Sequence, residues 1–82
     1  HVRKGMVHAF VMIETGPGES EGLLRTIREL DAVAEAHVVA GEYDIVAEAT
    51  APEVYKLLST ASTRIRGLES VVDTETYIAM DE

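Results

Sequence analysis

Histidine is the residue type in this chain best suited to hold a metal ion or to transfer a proton near neutral pH. The three histidines, His1, His8 and His37, do not have the spacing of a metal-binding motif. His8 and His37 lie in β-rich segments, where we expect ordinary sheet-face side chains. The chain has no cysteine, and therefore no thiolate ligand and no cysteine nucleophile. These observations predict a protein with no metal and no cofactor.

The hydroxyl and carboxylate groups also lack a catalytic arrangement. None of the serines stands in a recognisable nucleophile motif; they are Ser20, Ser59, Ser62 and Ser70. Of the 15 aspartates and glutamates, Glu21, Glu29 and Glu53 fall in the expected helices, where charge usually serves solvation. Gly16-Pro17-Gly18 precedes a helix and could hold an anion, but it lacks the lysine and spacing of a phosphate loop and is better interpreted as a turn. The sequence predicts that the chain is not an enzyme.

The most informative stretch is 39–46, which reads Val-Ala-Gly-Glu-Tyr-Asp-Ile-Val. Gly41-Glu42 matches the Gly-X sequence of a two-residue type II′ turn. This predicts a hairpin between strands over 33–40 and 43–49. In that register two like charges, Glu35 and Glu48, face each other, which is mildly unfavourable.

The remaining segments must position this hairpin. A β-rich run over 7–13 predicts a first strand, and an apolar stripe at helical spacing predicts a first helix over 20–30. Thr50-Ala51-Pro52-Glu53 has the spacing of a capping box and predicts the start of a second helix, which ends near Gly67. A final strand is expected over 71–80. This order predicts an α+β, ferredoxin-like βαββαβ fold with a four-stranded antiparallel sheet and two helices on one face.

Both faces of the predicted sheet carry apolar residues. One set comprises Phe10, Met12, Val39, Val46, Val72 and Ile78. The other set comprises Val7, Ala9, Val11, Ile13, Val38, Ile45, Ala47 and Val71. Whichever set packs against the helices, the other leaves a hydrophobic face on a small protein. We therefore expect a homodimer that pairs through the open sheet face.

The charge balance restricts the partners. Fifteen acidic residues against 7 basic ones give a formal net charge of -8. A chain this acidic repels phosphate backbones, so direct binding to nucleic acid is not expected. The acidic, lysine-poor composition suits a high-salt cytoplasm, with an ordinary acidic protein as the alternative. No apolar run is long enough to span a membrane, and we expect a cytoplasmic protein without a membrane partner.

The length is that of a single domain with a modest core. We expect the domain to cover residues 6–80. Met6 resembles a natural initiator, which would make residues 1–5 an extension, and a native leader of the first strand is the alternative. These residues lack the apolar region of a signal peptide.

From about Val7 to Met80 the chain resembles the Lrp/AsnC ligand-binding domain, also called the RAM domain. The matching features are Gly41-Glu42-Tyr43-Asp44, the strand Ile45-Val46-Ala47 that follows it, Ile65-Arg66-Gly67, and Val71-Val72-Asp73-Thr74-Glu75-Thr76 with its Thr-x-Thr. Regulators of the family carry an N-terminal helix-turn-helix, for which 82 residues leave no room. The chain therefore resembles the stand-alone members of the family.

The resemblance implies homodimers that assemble further into an octamer or decamer, with an amino-acid effector held in clefts between dimers. It assigns ligand binding to Gly41, Tyr43, Asp44, Thr74 and Thr76. Gly41 would admit the ligand, Tyr43 would form a wall, Asp44 would bind the ammonium group, and the threonine hydroxyls would bind the carboxylate. Each residue also has an ordinary structural interpretation as a turn former, a hairpin cap or a β-forming residue.

Three functional hypotheses follow. The leading one is a homo-oligomeric sensor of an amino acid or related metabolite, linked to transcriptional regulation of amino-acid metabolism. The alternative is a co-assembly partner of full-length Lrp/AsnC regulators that needs no ligand of its own. The third is a small dimeric ferredoxin-like enzyme with a pocket on the sheet face, since fold alone does not decide activity.

Overall fold

A computed structural model describes residues 5–81 of the chain. Its elements are β1 (Val7–Thr15), α1 (Ser20–Arg28), β2 (Val33–Val38), β3 (Ile45–Ala51), α2 (Val54–Leu57), a π-helical segment (Leu58–Ser62), α3 (Thr63–Arg66) and β4 (Val71–Ile78). The three helical pieces from 54 to 66 are continuous and form the second helix. This order confirms the predicted ferredoxin-like fold. Apart from Gly5, the proposed extension lies outside the described residues, and among the described helices none is long and apolar enough to cross a membrane.

The sheet is antiparallel with strand order β2-β3-β1-β4. Along β1 and β3 the side chains alternate between the two faces, as the pleat requires. Five residues of the second apolar set are fully buried beneath the helices: Ala9, Val11, Ile13, Ile45 and Ala47. Four of them pack with Leu23 and Ile27 of α1 and with Ile65 of α3, whereas Ala9 packs with Leu57 of α2. Burial of a side chain such as Ile27 contributes roughly 1.5–3 kcal/mol relative to exposure, so this layer is the core.

A β-bulge changes which residues of β4 face the helices. Thr15 pairs with Val71 and Glu14 pairs with Asp73, so Val72 is the extra residue. The bulge shifts the alternation of the following residues by one position. The prediction that Ile78 shares one face of the sheet with Phe10 and Met12 is therefore wrong. Ile78 packs with Ala9 and Leu57 on the helix side.

The connection between β2 and β3 is not the predicted type II′ turn. That turn requires a positive φ at its first central residue, and Gly41 does not have one. The strands end at Val38 and resume at Ile45, although the Val39 N–H still donates to the Asp44 carbonyl at 2.9 Å. Asp44 is held from the other side, because its N–H donates to the Ile13 carbonyl of β1 at 2.9 Å. The loop therefore spans residues 39–44.

The predicted pairing of Glu35 with Glu48 is present. Each glutamate has a histidine partner, which offsets the repulsion between the two carboxylates. Glu48 Oε2 lies 2.6 Å from His8 Nε2, and Glu35 Oε1 lies 3.0 Å from His37 Nε2. The ladder also shifts by one residue between Val33 and Glu35.

The second helix does not begin at the predicted capping box. Thr50 lies inside β3, and the helix follows Glu53, which has an extended backbone and no side-chain cap. The π-helical segment widens the middle of the helix, and the Lys56 carbonyl accepts hydrogen bonds from the Ser59 and Thr60 hydroxyls. An α-helix has about 3.6 residues per turn, so residues spaced four apart lie progressively further around the helix axis. The wider segment helps to keep Leu57, Ala61 and Ile65 buried on the same side.

At each edge of the sheet, a side chain forms a hydrogen bond with a backbone group that points away from the neighbouring strand. Because Val39 donates towards β3, alternation directs the backbone of Ala36 outwards. The Arg28 Nε and Nη2 groups donate to the Ala36 carbonyl at 3.0 and 2.7 Å. At the other edge the Thr74 N–H donates to Asp73 Oδ1 at 2.9 Å. Such contacts block the addition of a further strand.

Replacing Arg28 with Ala should open the β2 edge and cost roughly 1–2 kcal/mol of stability through loss of the hydrogen bonds to Ala36. Arg25→Ala is the matched control, since it removes the same charge from α1 and Arg25 has no hydrogen bond within residues 5–81. Urea denaturation and thioflavin fluorescence on prolonged incubation measure the two effects. Equal stability and equal fluorescence in the two variants would show that Arg28 does not protect the edge.

Candidate functional site

A cleft of about 440 Å³ lies at one end of the open sheet face, beside loop 39–44. The loop lines it with residues 39–43. The sheet contributes Met12, Val46 and Glu75, and Met12 pairs with both of the others across the ladder. Tyr77 of β4 completes the lining. The cleft therefore combines apolar side chains with two carboxylates, those of Glu42 and Glu75, and two phenol groups.

Glu75 is the carboxylate at the centre of this arrangement. The Tyr43 hydroxyl donates to Glu75 Oε1 at 2.9 Å across the cleft. This hydrogen bond, with burial and the repulsion between a tyrosinate and nearby carboxylates, raises the pKa of Tyr43 to about 12. Hydrogen bonding to Glu75 also raises the pKa of Tyr77. Both phenols are thus protonated at neutral pH and available as hydrogen-bond donors beside Glu75.

Asp44, the predicted partner of an ammonium group, lies next to the cleft but has a structural contact. Its Oδ2 accepts a hydrogen bond from the Thr15 N–H at 2.9 Å. Together with the backbone bond to Ile13, this contact ties the end of the loop to β1. Asp44 therefore positions Tyr43, whatever else it binds.

Thr74 and Thr76 are separated from the other predicted ligand-binding residues within a single chain. The bulge at Val72 turns them to the helix side, where they pair with Ile13 and Val11 in the ladder. The Thr76 hydroxyl lies 3.1 Å from the hydroxyl of the buried Ser62 in the π-helical segment. Gly41 and Tyr43 are brought together in the cleft, whereas the two threonines face the opposite layer.

Glu75 and Tyr77 were missed by the sequence analysis. The signal was present in their spacing, because residues two apart on a strand share a face. Glu75 and Tyr77 have that spacing and alternate with Thr74 and Thr76 along β4. Simple alternation without the bulge would place the two threonines on the cleft side, which is the wrong pair. Only the observed register identifies which pair faces the cleft.

His8 and His37 lie on strands of the sheet and do not line this cleft. His8 is nearly buried, contacts Glu48 and packs with its ring centroid 4.9 Å from that of Phe10. His37 is exposed beside Glu35. Across residues 5–81 no three histidine or carboxylate side chains come together in a group that could hold a metal ion. His1 lies outside the described residues.

A larger groove, of about 620 Å³, lies between the segment before β2 and the second helix. Asp31, Thr50, Lys56 and Thr60 are its polar residues. It contains none of the predicted site residues. The smaller cleft is the better candidate, because it holds Gly41 and Tyr43 together with a hydrogen-bonded carboxylate.

The fold and the loop-bounded cleft are those of a ferredoxin-like ligand-binding domain. The sequence matches the family described as the Lrp/AsnC ligand binding domain over residues 8–82. The chain belongs to the Lrp/AsnC ligand-binding domain family. This family is regulatory and not enzymatic, is associated with effector-regulated transcription regulators, and includes members that bind small molecules and oligomerise. Comparison with curated protein sequences gave no match.

Several solved structures are similar. TTHA0845 from Thermus thermophilus is 36% identical, with a TM-score of 0.86 over 93% of this chain and 95% of that one. The hypothetical protein PHS023 from Pyrococcus horikoshii is 29% identical, with a TM-score of 0.83 over 93% and 92%. AsnC of E. coli shares the fold at 23% identity and a TM-score of 0.84, over 93% of this chain and 52% of AsnC. The chain thus spans nearly all of the two small proteins and about half of AsnC.

The Ser62–Thr76 contact predicts a difference between the two threonines. Thr76→Val keeps the branched shape but leaves the buried Ser62 hydroxyl without its partner, which should cost roughly 1–2 kcal/mol. Thr74→Val is the matched control, because no side-chain hydrogen bond of Thr74 is present within the described chain. Urea denaturation should give a lower midpoint for the Thr76 variant alone. Coincident curves for the two variants would contradict a structural role for the Thr76 hydroxyl.

Proposed function

We propose that this chain is a sensor domain that binds an amino acid or a related small metabolite and assembles with copies of itself, in the service of transcriptional regulation of amino-acid metabolism. The observation that carries the proposal is an open cleft, bounded by loop 39–44, in a member of a ligand-binding family. The transcriptional regulator NMB0573 from Neisseria meningitidis has the same fold, at 14% identity and a TM-score of 0.73 over 93% of this chain and 51% of that one. Its structure was determined as a complex with L-Met.

Gly41 supports this proposal because nothing within residues 5–81 requires a glycine there. Its φ is not positive, and an added Cβ would meet no atom within 4 Å. A glycine that neither the backbone nor the neighbouring side chains demand is explained by close approach of something outside the chain. Because Gly41 lines the cleft, we assign this close approach to the effector.

The remaining predicted residues take different positions in this proposal. Tyr43 forms a wall of the cleft, and Asp44 holds the loop and lies beside it. Thr74 and Thr76 face the helix layer of their own chain, so they would contribute to a site only from a neighbouring copy. An effector bound in this way would link ligand binding to assembly.

Assembly is supported by the open sheet face. Phe10 and Tyr77, which pair across β1 and β4, keep 38% and 53% of their surface exposed. Met12 and Val46 extend the same face towards the cleft. We propose that this face forms the homodimer and that dimers assemble to an octamer or decamer. Co-assembly with full-length regulators is the second candidate, since the chain spans the corresponding half of AsnC.

Gly41→Ala tests the effector site. The added methyl group should leave stability unchanged or raise it by about 0.4–1 kcal/mol, because it restricts only the unfolded chain. The same methyl group should weaken amino-acid binding by obstructing the cleft. Calorimetric titration of the common amino acids and thermal unfolding measure the two effects.

Gly22→Ala is the control for this experiment. Gly22 lies on α1 with open space around it, so alanine there should also stabilise the fold. It lies far from the loop in sequence and is not among the cleft residues. If the two variants bind amino acids equally well, the backbone at Gly41 does not approach the effector. If the wild-type chain binds no amino acid but still assembles, co-assembly becomes the better interpretation.

The assembly prediction concerns salt as well as size. Light scattering should give a species larger than the 8.9 kDa monomer at micromolar concentration. A net charge of -8 opposes association, so the average mass should fall as salt drops below about 0.1 M, where the Debye length exceeds ~10 Å. A constant mass of 8.9 kDa across the salt range would exclude the proposed dimer.

A further inference from the structure

The groove of about 620 Å³ between the segment before β2 and the second helix takes no part in the proposed function. A smaller groove of about 220 Å³ continues it, since Asp31, Ala32 and Thr60 line both. We call the two together the distal groove. It lies at the start of β2 and the end of β3, whereas the loop cleft lies at the end of β2 and the start of β3. The two sites are therefore at opposite ends of this hairpin and have no lining residue in common.

One wall of the distal groove is a row of polar side chains on the second helix. Lys56 and Thr60 line the larger part, and Thr60 and Arg64 line the smaller part. Each residue of the row directly precedes a buried residue of the helix. The π-helical segment that helps to keep those buried residues on one side therefore helps to keep the row aligned, and such segments are frequent at functional sites. The helix thus presents two cations along the groove, with a hydroxyl group between them.

The opposite wall carries two carboxylates. Glu29 is the C-cap residue of α1, and Asp31 follows two residues later. The Thr50 N–H donates to the Ala32 carbonyl at 3.0 Å, which ties this wall to the end of β3. Within residues 5–81 none of the charged side chains on either wall of the groove forms an ion pair or a hydrogen bond. Opposite charges thus line the groove from two sides without meeting across it.

The arrangement of charges selects among ligands. A ligand with one charge is attracted by one wall and repelled by the other, whereas a ligand with an acid group at one end and an ammonium group at the other is attracted by both. The groove also has apolar lining for a methylene chain between the two groups, from Met6, Ala34, Ala51 and Pro52. With a net charge of -8, the chain as a whole repels a simple anion. The groove therefore favours a small zwitterion.

We propose that the distal groove is a second ligand site, which binds a small amino carboxylate through Lys56 and Arg64 at its acid group and through Asp31 and Glu29 at its ammonium group. A carboxylate suits the groove better than a phosphate, because a phosphate brings more negative charge to an acidic chain. Because the two walls do not meet, the acid and the ammonium group of the ligand are separated by methylene groups. The site is independent of the effector cleft and does not rest on the proposed function.

Two-dimensional NMR of the full chain tests the site with three probes that share one carbon skeleton: γ-aminobutyrate, butyrate and butylamine. γ-Aminobutyrate should shift the backbone signals of residues 29–34 and 50–64 in a saturable way, and should bind more tightly than either probe with a single charge. Lys56→Gln should weaken its binding by about two- to fivefold, as expected for one exposed ion pair. The same variant should bind butylamine at least as tightly as the wild type does. Asp31→Asn should weaken γ-aminobutyrate similarly and should improve binding of butyrate.

Arg66→Gln is the matched control, because it removes the same charge from the same helix and Arg66 does not line the groove. A merely distorted groove would bind all three probes more weakly, so the opposite responses to butyrate and butylamine identify recognition of charge. If γ-aminobutyrate binds no better than the other two probes, or if Lys56→Gln and Arg66→Gln behave alike, the assignment is wrong. Gly41→Ala should leave binding in the distal groove unchanged, so this site and the proposed function fail separately.

Discussion

Burial of one face of β1 and β3 beneath the helices is the constraint on which the rest of the structure depends. Val11, Ile13, Ile45 and Ala47 are fully buried, and each is flanked by residues that point the other way. Because strand side chains alternate, a slip of one residue would expose this whole set. The register is therefore fixed across β1 and β3, and it places Met12 beside Val46 at the start of the cleft.

The edge strands β2 and β4 pack on the same core, and each has a register shift in its pairing with the neighbouring strand. The extra residue at Val72 lets Val71 and Ile78 both reach the helix layer. It also decides which polar residues of β4 face the cleft. Thr76 turns inwards to Ser62, and Glu75 turns outwards to Tyr43. A packing requirement in the core thus determines the chemistry available on the opposite face.

The loop between β2 and β3 connects the core with the candidate site. Two contacts from Asp44 to β1, through its N–H and its carboxylate, hold the loop open instead of allowing a tight turn. The opening leaves the amides of residues 40–43 unpaired within the described chain and allows Tyr43 to reach Glu75. The cleft and the apolar face adjoin each other, since Met12 and Val46 belong to both.

Local patterns in the sequence determined the order of the elements, the division of β1 and β3 into two alternating apolar sets, and the pairing of Glu35 with Glu48, because period and spacing depend on neighbouring residues alone. Which of the two sets is buried was decided by the packing of the helices. The candidate site was only partly predictable: Gly41 and Tyr43 lie in the cleft, but Glu75 and Tyr77 were not found. Turn type, the start of the second helix, the bulge at Val72 and the Tyr43–Glu75 contact were decided by tertiary structure. Each depends on residues distant in sequence, as when Asp44 binds Thr15 or Ile78 packs on Leu57.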